Sequence, residues 1–497
     1  MILTLLAAVI FGTAALAEAP LRVRVSAEPS TLDWSVGSSG FESMAILNIM
    51  EGLSELDESL QIKPRLASRW EVLEGGRLYR FHLRSGVNWS DGVPLKAADF
   101  VYSWKRLADP RTSSPYREYL TDVDVARAVS DTVLEVRLKR PVPYFPELLS
   151  FWVTFPQRED LVLKYGAAWT EPKNLVTLGP YRLAEWQKGV RLRFSRNEQY
   201  AEAMQRPAEV HAVTVPDWAN ALERMVHGDL DVLQDASQLD MVSKHGAKNL
   251  RFLSFKYLAV HYLGFNHKSR WFKDREARFA VAAAINRKTL VASMGRGDIM
   301  ASSLVPVGLW AYDEDLGIRY DLAEARKAWA AARSRGGPGA AGPLRFCSIA
   351  GRFQEAAVAT GEMLQRGLGL KAELVVAAPA AINAMIQRGE CDLFLKSWGA
   401  DYPDPATFMD LLVSSSNLSR TGWVNGEYDK LVRNAGDTPA RAERSEYYKI
   451  AQKIAVNGEI ALVPLYYPQI TALVGARVAD IYVDPLQYLF FKRVRLR

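Results

Sequence analysis

Strand-like and helix-like segments alternate between residues 344 and 396, and this alternation constrains the fold more than any other part of the sequence. The strand-like segments are 344–349, 371–376 and 392–396, and helical patterns cover 354–367 and 379–387. Strands separated by helices of this length pair in parallel, so the pattern predicts a doubly wound α/β sheet. Open sheets of this kind bind ligands beyond the carboxyl ends of their strands.

One carboxylate follows the third of these strands directly. Asp401 lies between Trp398 and Tyr402 in a loop, and Asp404 and Pro405 are predicted to begin the next helix. A carboxylate flanked by aromatic rings is partly desolvated and favours a cationic partner. We therefore hypothesise that Asp401 binds the ammonium group of a ligand. The alternative is an ordinary solvated carboxylate.

The N-terminal residues predict export. Residues 2–16 are apolar and uncharged, and residues 15–17 form the small-x-small pattern of a cleavage site, so residues 1–17 are interpreted as a signal peptide. This run is shorter than the roughly 20 residues that span a bilayer. No Lys or Arg precedes it, which departs from the usual signal. No cysteine lies near the cleavage point, so we expect a periplasmic protein without a lipid anchor.

Length and composition predict several lobes and argue against several functions. A chain of 497 residues exceeds what one hydrophobic core usually organises. The net charge of +6 is spread without basic runs, which argues against nucleic-acid binding. No metal-ligand spacing, P-loop, GxSxG or HExxH pattern occurs, and the GxGxxG match at 337–342 precedes a strand instead of following one. We expect no cofactor and no catalysis, and keep an exported peptide hydrolase as a remote alternative.

The two cysteines are the only candidates for a covalent link. Export permits a disulfide between Cys347 and Cys391. Cys347 lies late in one predicted strand, however, and Cys391 lies before the start of another. Because their heights in the sheet should differ, the sequence favours two buried thiols over a bond.

Several segments together resemble a known family, the oligopeptide/dipeptide-type substrate-binding proteins of ATP-driven importers (bacterial extracellular solute-binding protein family 5). The resemblance runs in order along the mature chain through residues 28–33, 51–53, 81–92, 99–104, 179–181, 274–278, 398–405 and 463–467. It implies a periplasmic-binding-protein-like α/β fold, with two large lobes of mixed or parallel sheets and an extra α+β lobe. It also implies a monomer that binds an oligopeptide and delivers it to a membrane permease.

The resemblance places lobe boundaries along the chain. Lobe I would combine residues 18–50, 173–262 and 470–497, lobe II would be 51–172, and lobe III would be 263–469. The hinge would consist of two crossings, at 257–266 and 464–471. The alternation of hairpins and helices in 51–172 independently favours a separate α+β lobe there.

The same resemblance implies a set of ligand-binding residues. Asp401 matches the carboxylate that fixes a peptide's N-terminal ammonium, and Trp398 matches an aromatic residue of the cleft. Gly399 and Ala400 match a stretch whose backbone bonds to the ligand. Tyr116 and Tyr262 match tyrosines that face the cleft, and Gly40 lies in the loop beside the peptide.

Three positions depart from the family pattern. Leu395 and Phe353 stand where cationic or imidazole side chains can meet the peptide's C-terminal carboxylate, and Pro379 stands where a tryptophan is expected. These departures leave the peptide's length and the ligand's chemical class open. A receptor for murein peptide or another amine-bearing metabolite is the second interpretation.

Overall fold

The computed structural model describes residues 19–200, 206–234, 249–336, 343–416, 418 and 420–497. The signal peptide predicted at 1–17 and the GxGxxG match lie outside these residues. Among the described residues no helix is both long and apolar enough to cross a membrane.

The described residues form twenty-one strands. In chain order they are β1 (Leu21–Val25), β2 (Ser54–Leu56), β3 (Ile62–Pro64), β4 (Ala67–Leu73), β5 (Leu78–Leu83), β6 (Val123–Ser130), β7 (Val133–Leu138), β8 (Tyr181–Gln187), β9 (Arg191–Arg196), β10 (Glu209–Thr214), β11 (Val232–Gln234), β12 (Arg251–Lys256), β13 (Ala259–Phe265), β14 (Ile299–Met300), β15 (Leu344–Ile349), β16 (Ala372–Ala377), β17 (Leu393–Gly399), β18 (Leu462–Tyr467), β19 (Gln469–Val474), β20 (Val478–Asp480) and β21 (Arg495–Leu496).

Thirteen α-helices lie between these strands in the described part of the chain. They are α1 (Gly40–Ile49), α2 (Ala97–Ala108), α3 (Phe145–Leu148), α4 (Glu159–Tyr165), α5 (Trp218–His227), α6 (Arg275–Ala284), α7 (Arg287–Met294), α8 (Leu322–Ser334), α9 (Arg352–Leu368), α10 (Pro379–Gln387), α11 (Ala406–Met409), α12 (Gly426–Asp437) and α13 (Arg441–Gln452). Several begin at a side chain that satisfies free backbone N–H groups. Asp321, for example, accepts from the N–H of Glu324 at the start of α8.

A seven-stranded mixed sheet combines the first strand of the chain with strands from its middle and from the C-terminal region. Its strand order is β12-β19-β11-β1-β10-β9-β8. β1 pairs in parallel with β10 and β11, whereas the outer strands pair antiparallel. The alternating burial of β1 and β10 shows that the sheet packs one face on a core.

A four-stranded antiparallel sheet forms a second layer, with the order β4-β5-β7-β6. One of the hairpins expected in residues 51–172 joins β4 to β5 through Gly75 and Gly76, whose φ angles of 64° and 90° favour glycine. α2 buries Phe100, Trp104 and Leu107. This α+β arrangement agrees with the pattern of the sequence.

The third sheet has six strands in the order β14-β18-β13-β17-β15-β16. Its β15, β16 and β17 alternate with α9 and α10, and β15 pairs in parallel with both of its neighbours. The predicted βαβαβ unit is therefore confirmed. The sheet as a whole is mixed, because β13 runs antiparallel to β17 and β18.

The chain passes between the seven-stranded and the six-stranded sheet at two places. β12 belongs to the first sheet and β13, which begins three residues later, belongs to the second. β18 and β19 are divided in the same way, with Pro468 between them. The two sheets are thus joined by a pair of short neighbouring connections.

The structure corrects the expectation for the cysteines. Cys347 and Cys391 form a disulfide, and their Cα atoms are 5.8 Å apart. The argument from strand height assumed that Cys391 continues the line of β17, whereas it lies outside that strand. It follows a turn at Gly389, whose φ is 73°, so the spacing of the strand ladder does not fix its position.

Candidate functional site

A cleft of about 450 Å³ lies where the seven-stranded and six-stranded sheets approach each other. Residues from all parts of the fold line it, including Ser39 and Gly40 at the start of α1 and Gln469 in β19. Ser39 and Glu42 form a capping box, which fixes the first turn of α1 at the edge of the cleft. Gln469 belongs to the seven-stranded sheet and Asp401 follows β17 of the six-stranded sheet, so the cleft can contact a ligand from two sides.

Asp401 projects into this cleft from the loop after β17. Its carboxylate has neither an ion-pair partner nor a hydrogen-bond donor among the described residues. Its side chain is exposed to the water of the cleft. The surrounding protein nevertheless displaces part of its hydration, and this desolvation raises the pKa of Asp401 to about 6. Burial, with a further contribution from Asp401, also raises the pKa values of Tyr116 and Tyr488, which line the same cleft.

A second carboxylate, three residues further along, is paired. Asp404 is 3% exposed and accepts two hydrogen bonds from Arg444, at 2.8 and 3.0 Å, and one from the N–H of Ala406. Between the two acids, Tyr402 stacks on Tyr144 with ring centroids 5.4 Å apart. This contact joins the loop to the segment that follows the four-stranded sheet.

The helix predicted after Asp404 forms in a shorter version. Pro405 is the N-cap of α11, and a 3₁₀ turn, Asp410–Leu412, continues it. Asp404 stands one residue before this N-cap, and its side chain accepts a hydrogen bond from the N–H of Ala406, the first residue of α11.

The three residues before Asp401 make their contacts within the protein. The indole of half-buried Trp398 donates to the carbonyl of Thr407 at 2.7 Å. A Cβ on Gly399 would lie 2.7 Å from the hydroxyl of Tyr257, so only glycine fits there without a shift. The N–H of Ala400 donates to the carbonyl of Leu258, which removes it as a donor to a ligand.

Two further predicted residues line the cleft. The ring of Tyr116 packs against Phe151 and Trp152, at 5.4 and 5.7 Å between centroids. Gly40 lies in α1 as its first residue, not in the preceding loop, and no atom lies within 4 Å of where its Cβ would be. A side chain at position 40 would therefore project into the cleft.

Tyr262 does not face the cleft, which corrects the placement that the resemblance implied. It is 0% exposed and belongs to the buried core. The reason is that β13 lies inside the six-stranded sheet and every one of its residues is buried.

The cleft also contains a cation that was not predicted from the sequence, Arg352. It is the first residue of α9, just beyond the carboxyl end of β15, and its guanidinium lies 5.7 Å from the ring centroid of Phe353. It has no ion-pair partner among the described residues. Its position at the end of a parallel strand is the signal that could have identified it. Burial raises the pKa of Tyr257, with Arg352 opposing and Asp401 adding to the effect, so this tyrosine is within electrostatic range of both charges.

The positions that depart from the family pattern lie away from the cleft lining. Leu395 is 3% exposed in the core, and Phe353 stacks on His261 with centroids 4.5 Å apart. Neither residue supplies the cation that the family pattern has at these positions. A cation, Arg352, does line the cleft directly before Phe353 in the sequence.

A mixed α/β fold with two sheets joined by two short connections, and a ligand-sized cleft between them, is the architecture of extracellular solute-binding proteins. The chain belongs to family 5 of the bacterial members of this class, because the model of that family's middle region matches residues 61–420.

Curated relatives extend over nearly the whole chain. The probable deoxycholate-binding periplasmic protein YgiS of Escherichia coli is 27% identical over 95% of this chain and 92% of its own length. The periplasmic oligopeptide-binding protein OppA of Salmonella typhimurium is 28% identical over 91% of this chain and 88% of its own length.

Solved structures share the fold. The unliganded open form of the periplasmic murein tripeptide binding protein MppA matches 97% of this chain and 98% of its own, with a TM-score of 0.80 and 24% identity. OppA of Burkholderia pseudomallei matches 97% of this chain and 100% of its own, with a TM-score of 0.75 and 26% identity. These likenesses confirm the periplasmic-binding-protein-like fold class.

Proposed function

We propose that this protein is the periplasmic substrate-binding component of an ATP-driven peptide importer. It binds extended oligopeptides through backbone hydrogen bonds and pairs Asp401 with the peptide's N-terminal ammonium. The observation that carries the proposal is the carboxylate of Asp401 itself, which lies in the cleft without a cationic partner among the described residues. An ammonium there would relieve the cost that burial imposes on the charge.

Binding through the peptide backbone allows the protein to accept peptides of many sequences. An extended peptide offers the same N–H and C=O groups whatever its side chains, so a cleft that pairs with its backbone gains affinity without choosing sequence. One charge pair at the amine then fixes the register. Arg352 offers a positive charge in the same cleft that can meet a carboxylate of the ligand.

We further propose that the chain moves as three lobes. Lobe I comprises residues 18–50, 173–262 and 470–497, lobe II comprises 51–172, and lobe III comprises 263–469. The crossings at 257–266 and 464–471 act as the hinge, and the two short connections between the sheets support this assignment. A ligand favours the closed state only by its extra affinity for that state.

The remaining assignments follow from the same proposal. The protein is exported through a cleaved signal peptide without a lipid anchor, acts as a monomer without catalysis, and passes its ligand to a membrane permease. The periplasmic relatives support the location.

A receptor for murein peptide or another amine-bearing metabolite is the second candidate. The periplasmic murein peptide-binding protein MppA of Escherichia coli, 27% identical over 92% of this chain, favours it. Both candidates use Asp401 in the same way and differ in the molecule that follows the ammonium.

Recovery of ligands from a mixed pool tests these assignments. The purified protein is incubated with peptides and cell-wall digests, and bound molecules are identified by mass spectrometry. Intact peptides support the first candidate, cell-wall fragments support the second, and cleaved products would show a hydrolase instead. N-acetylated peptides should bind at least tenfold more weakly than their free-amine counterparts, and equal affinity would refute the role of Asp401.

A further inference from the structure

Two cationic side chains converge on one residue of α10, on the face of the six-stranded sheet that this helix covers. The ammonium of Lys396, in β17, donates to Oδ1 of Asn383 at 2.9 Å. The guanidinium of Arg420 donates to the backbone carbonyl of the same asparagine at 3.0 Å. Both cations are half-buried.

No acid balances these two charges. Neither Lys396 nor Arg420 forms an ion pair within the described chain. Burial first, and Arg420 second, lower the pKa of Lys396 to about 8, and no carboxylate opposes them. The undescribed neighbours of Arg420, at positions 417 and 419, are Asn and Ser and carry no charge. Such a cluster is stabilised by an anion.

A buried hydroxyl supplies the second, independent observation. Tyr262 is the direct partner of Lys396 across β13 and β17, so the two side chains lie on the same face of the sheet. Tyr262 is 0% exposed, and its hydroxyl has no hydrogen-bond partner in the described structure. Burial raises its pKa and Arg420 opposes the rise, which places the hydroxyl within electrostatic range of the guanidinium. A buried hydroxyl without a hydrogen-bond partner indicates that a bound ion or ligand can supply that partner.

We propose that Lys396, Arg420 and Tyr262 form an oxyanion-binding site that takes a carboxylate. β17 leads from Lys396 to the loop of Asp401, and five residues at roughly 3.3 Å each keep the two within about 17 Å. A single extended ligand can span this distance, so we assign the carboxylate to an acidic side chain of the peptide whose ammonium Asp401 holds. This choice of source rests on the proposed function, whereas the site itself does not. The other source of the same chemistry is a small free anion.

The first experiment follows the Lys396 ammonium by NMR of protein labelled at lysine Cε, with acetate as the probe. The signal is assigned by its loss in Lys396→Met. Acetate should shift it and raise its titration midpoint, because a bound anion favours the charged ammonium. Arg420→Gln and Tyr262→Phe should weaken the response to acetate.

The second experiment compares two peptides that differ only by glutamate in place of glutamine, by calorimetry. The wild-type protein should prefer the glutamate peptide about tenfold, and Lys396→Met or Arg420→Gln should abolish the preference without weakening the glutamine peptide. Lys371→Met is the matched control, because Lys371 is an exposed lysine at the edge of the same sheet, and it should keep the preference.

The two experiments separate this site from the proposed function. A response to acetate without a preference between peptides supports the site and assigns it to a free anion. If no peptide binds at all, the acetate experiment still decides. An unmoved Lys396 signal together with equal affinities for the two peptides would overturn the site, while peptide binding through Asp401 would stand.

Discussion

Asp401 and Asp404 lie three residues apart in one loop, and their surroundings are opposite. Asp404 is buried and receives a two-pronged hydrogen bond from Arg444, whose pKa is raised by this partner although burial opposes the rise. Asp401 faces the cleft with no partner among the described residues. An aspartate that is paired inside the protein contributes to stability. An aspartate that is left unpaired in a cleft is available to bind a ligand.

The largest effect should come from breaking the paired acid. Asp404→Asn leaves Arg444 as a buried cation without its counter-charge, which should lower the free energy of unfolding by about 3–5 kcal/mol. Denaturant unfolding measures this change. Arg444→Gln in combination should cost much less than the sum of the two single changes, and additivity would contradict the pairing.

Asp401→Asn should weaken ligand binding without lowering the stability of the protein. The affinity for free-amine peptides should fall at least tenfold because the ammonium loses its counter-charge, whereas the unfolding free energy should not fall, since no internal bond is lost. Calorimetric titration and denaturant unfolding on the same preparation check both halves. A loss of stability like that of Asp404→Asn would erase the distinction between the two acids.

The last effect is a pH dependence to which Asp401 contributes. Its folded pKa, about 6, is raised above the unfolded value, so the free protein loses stability as pH rises from about 4 through 6. Peptide affinity should change in the opposite direction and rise over this window by up to about tenfold per pH unit, because only the carboxylate pairs with ammonium.

The pH measurement needs the variant as its reference. Other buried acids, including Glu147, also have raised pKa values, so the difference between the wild-type protein and Asp401→Asn isolates the one group. A difference curve that is flat from pH 4 to 7 would show that Asp401 is not desolvated.

Much of the fold could be predicted because it follows local patterns. The hairpin at Gly75 and the βαβαβ unit depend on turn chemistry and on periodicity, and both are legible in one sequence. The position of Asp401 in the cleft followed from its place after a parallel strand. Its role as an ammonium anchor remains a prediction.

Other features depend on contacts between distant segments, which a single sequence does not reveal. The partnership of Asp404 with Arg444 spans 40 residues and was not foreseen. Tyr262 was placed in the cleft from a resemblance, although its strand is covered on both faces. Arg352 was missed although it follows a predicted parallel strand, because only the assembled sheet shows that it faces the cleft.

Because Cys347 and Cys391 form a disulfide, the stability of a protein sample depends on whether the two thiols were oxidised during its production. The disulfide encloses the end of β15, α9, β16 and α10, a sequence separation of 44 residues, and a bridge of this kind typically contributes about 2–4 kcal/mol. Thiols stay reduced in the cytosol and oxidise in the periplasm, so protein made in the cytosol should lack this stabilisation and protein secreted into the periplasm should have it. Melting curves recorded on cytosolic and on secreted material should therefore not coincide, even though the two share every amino acid.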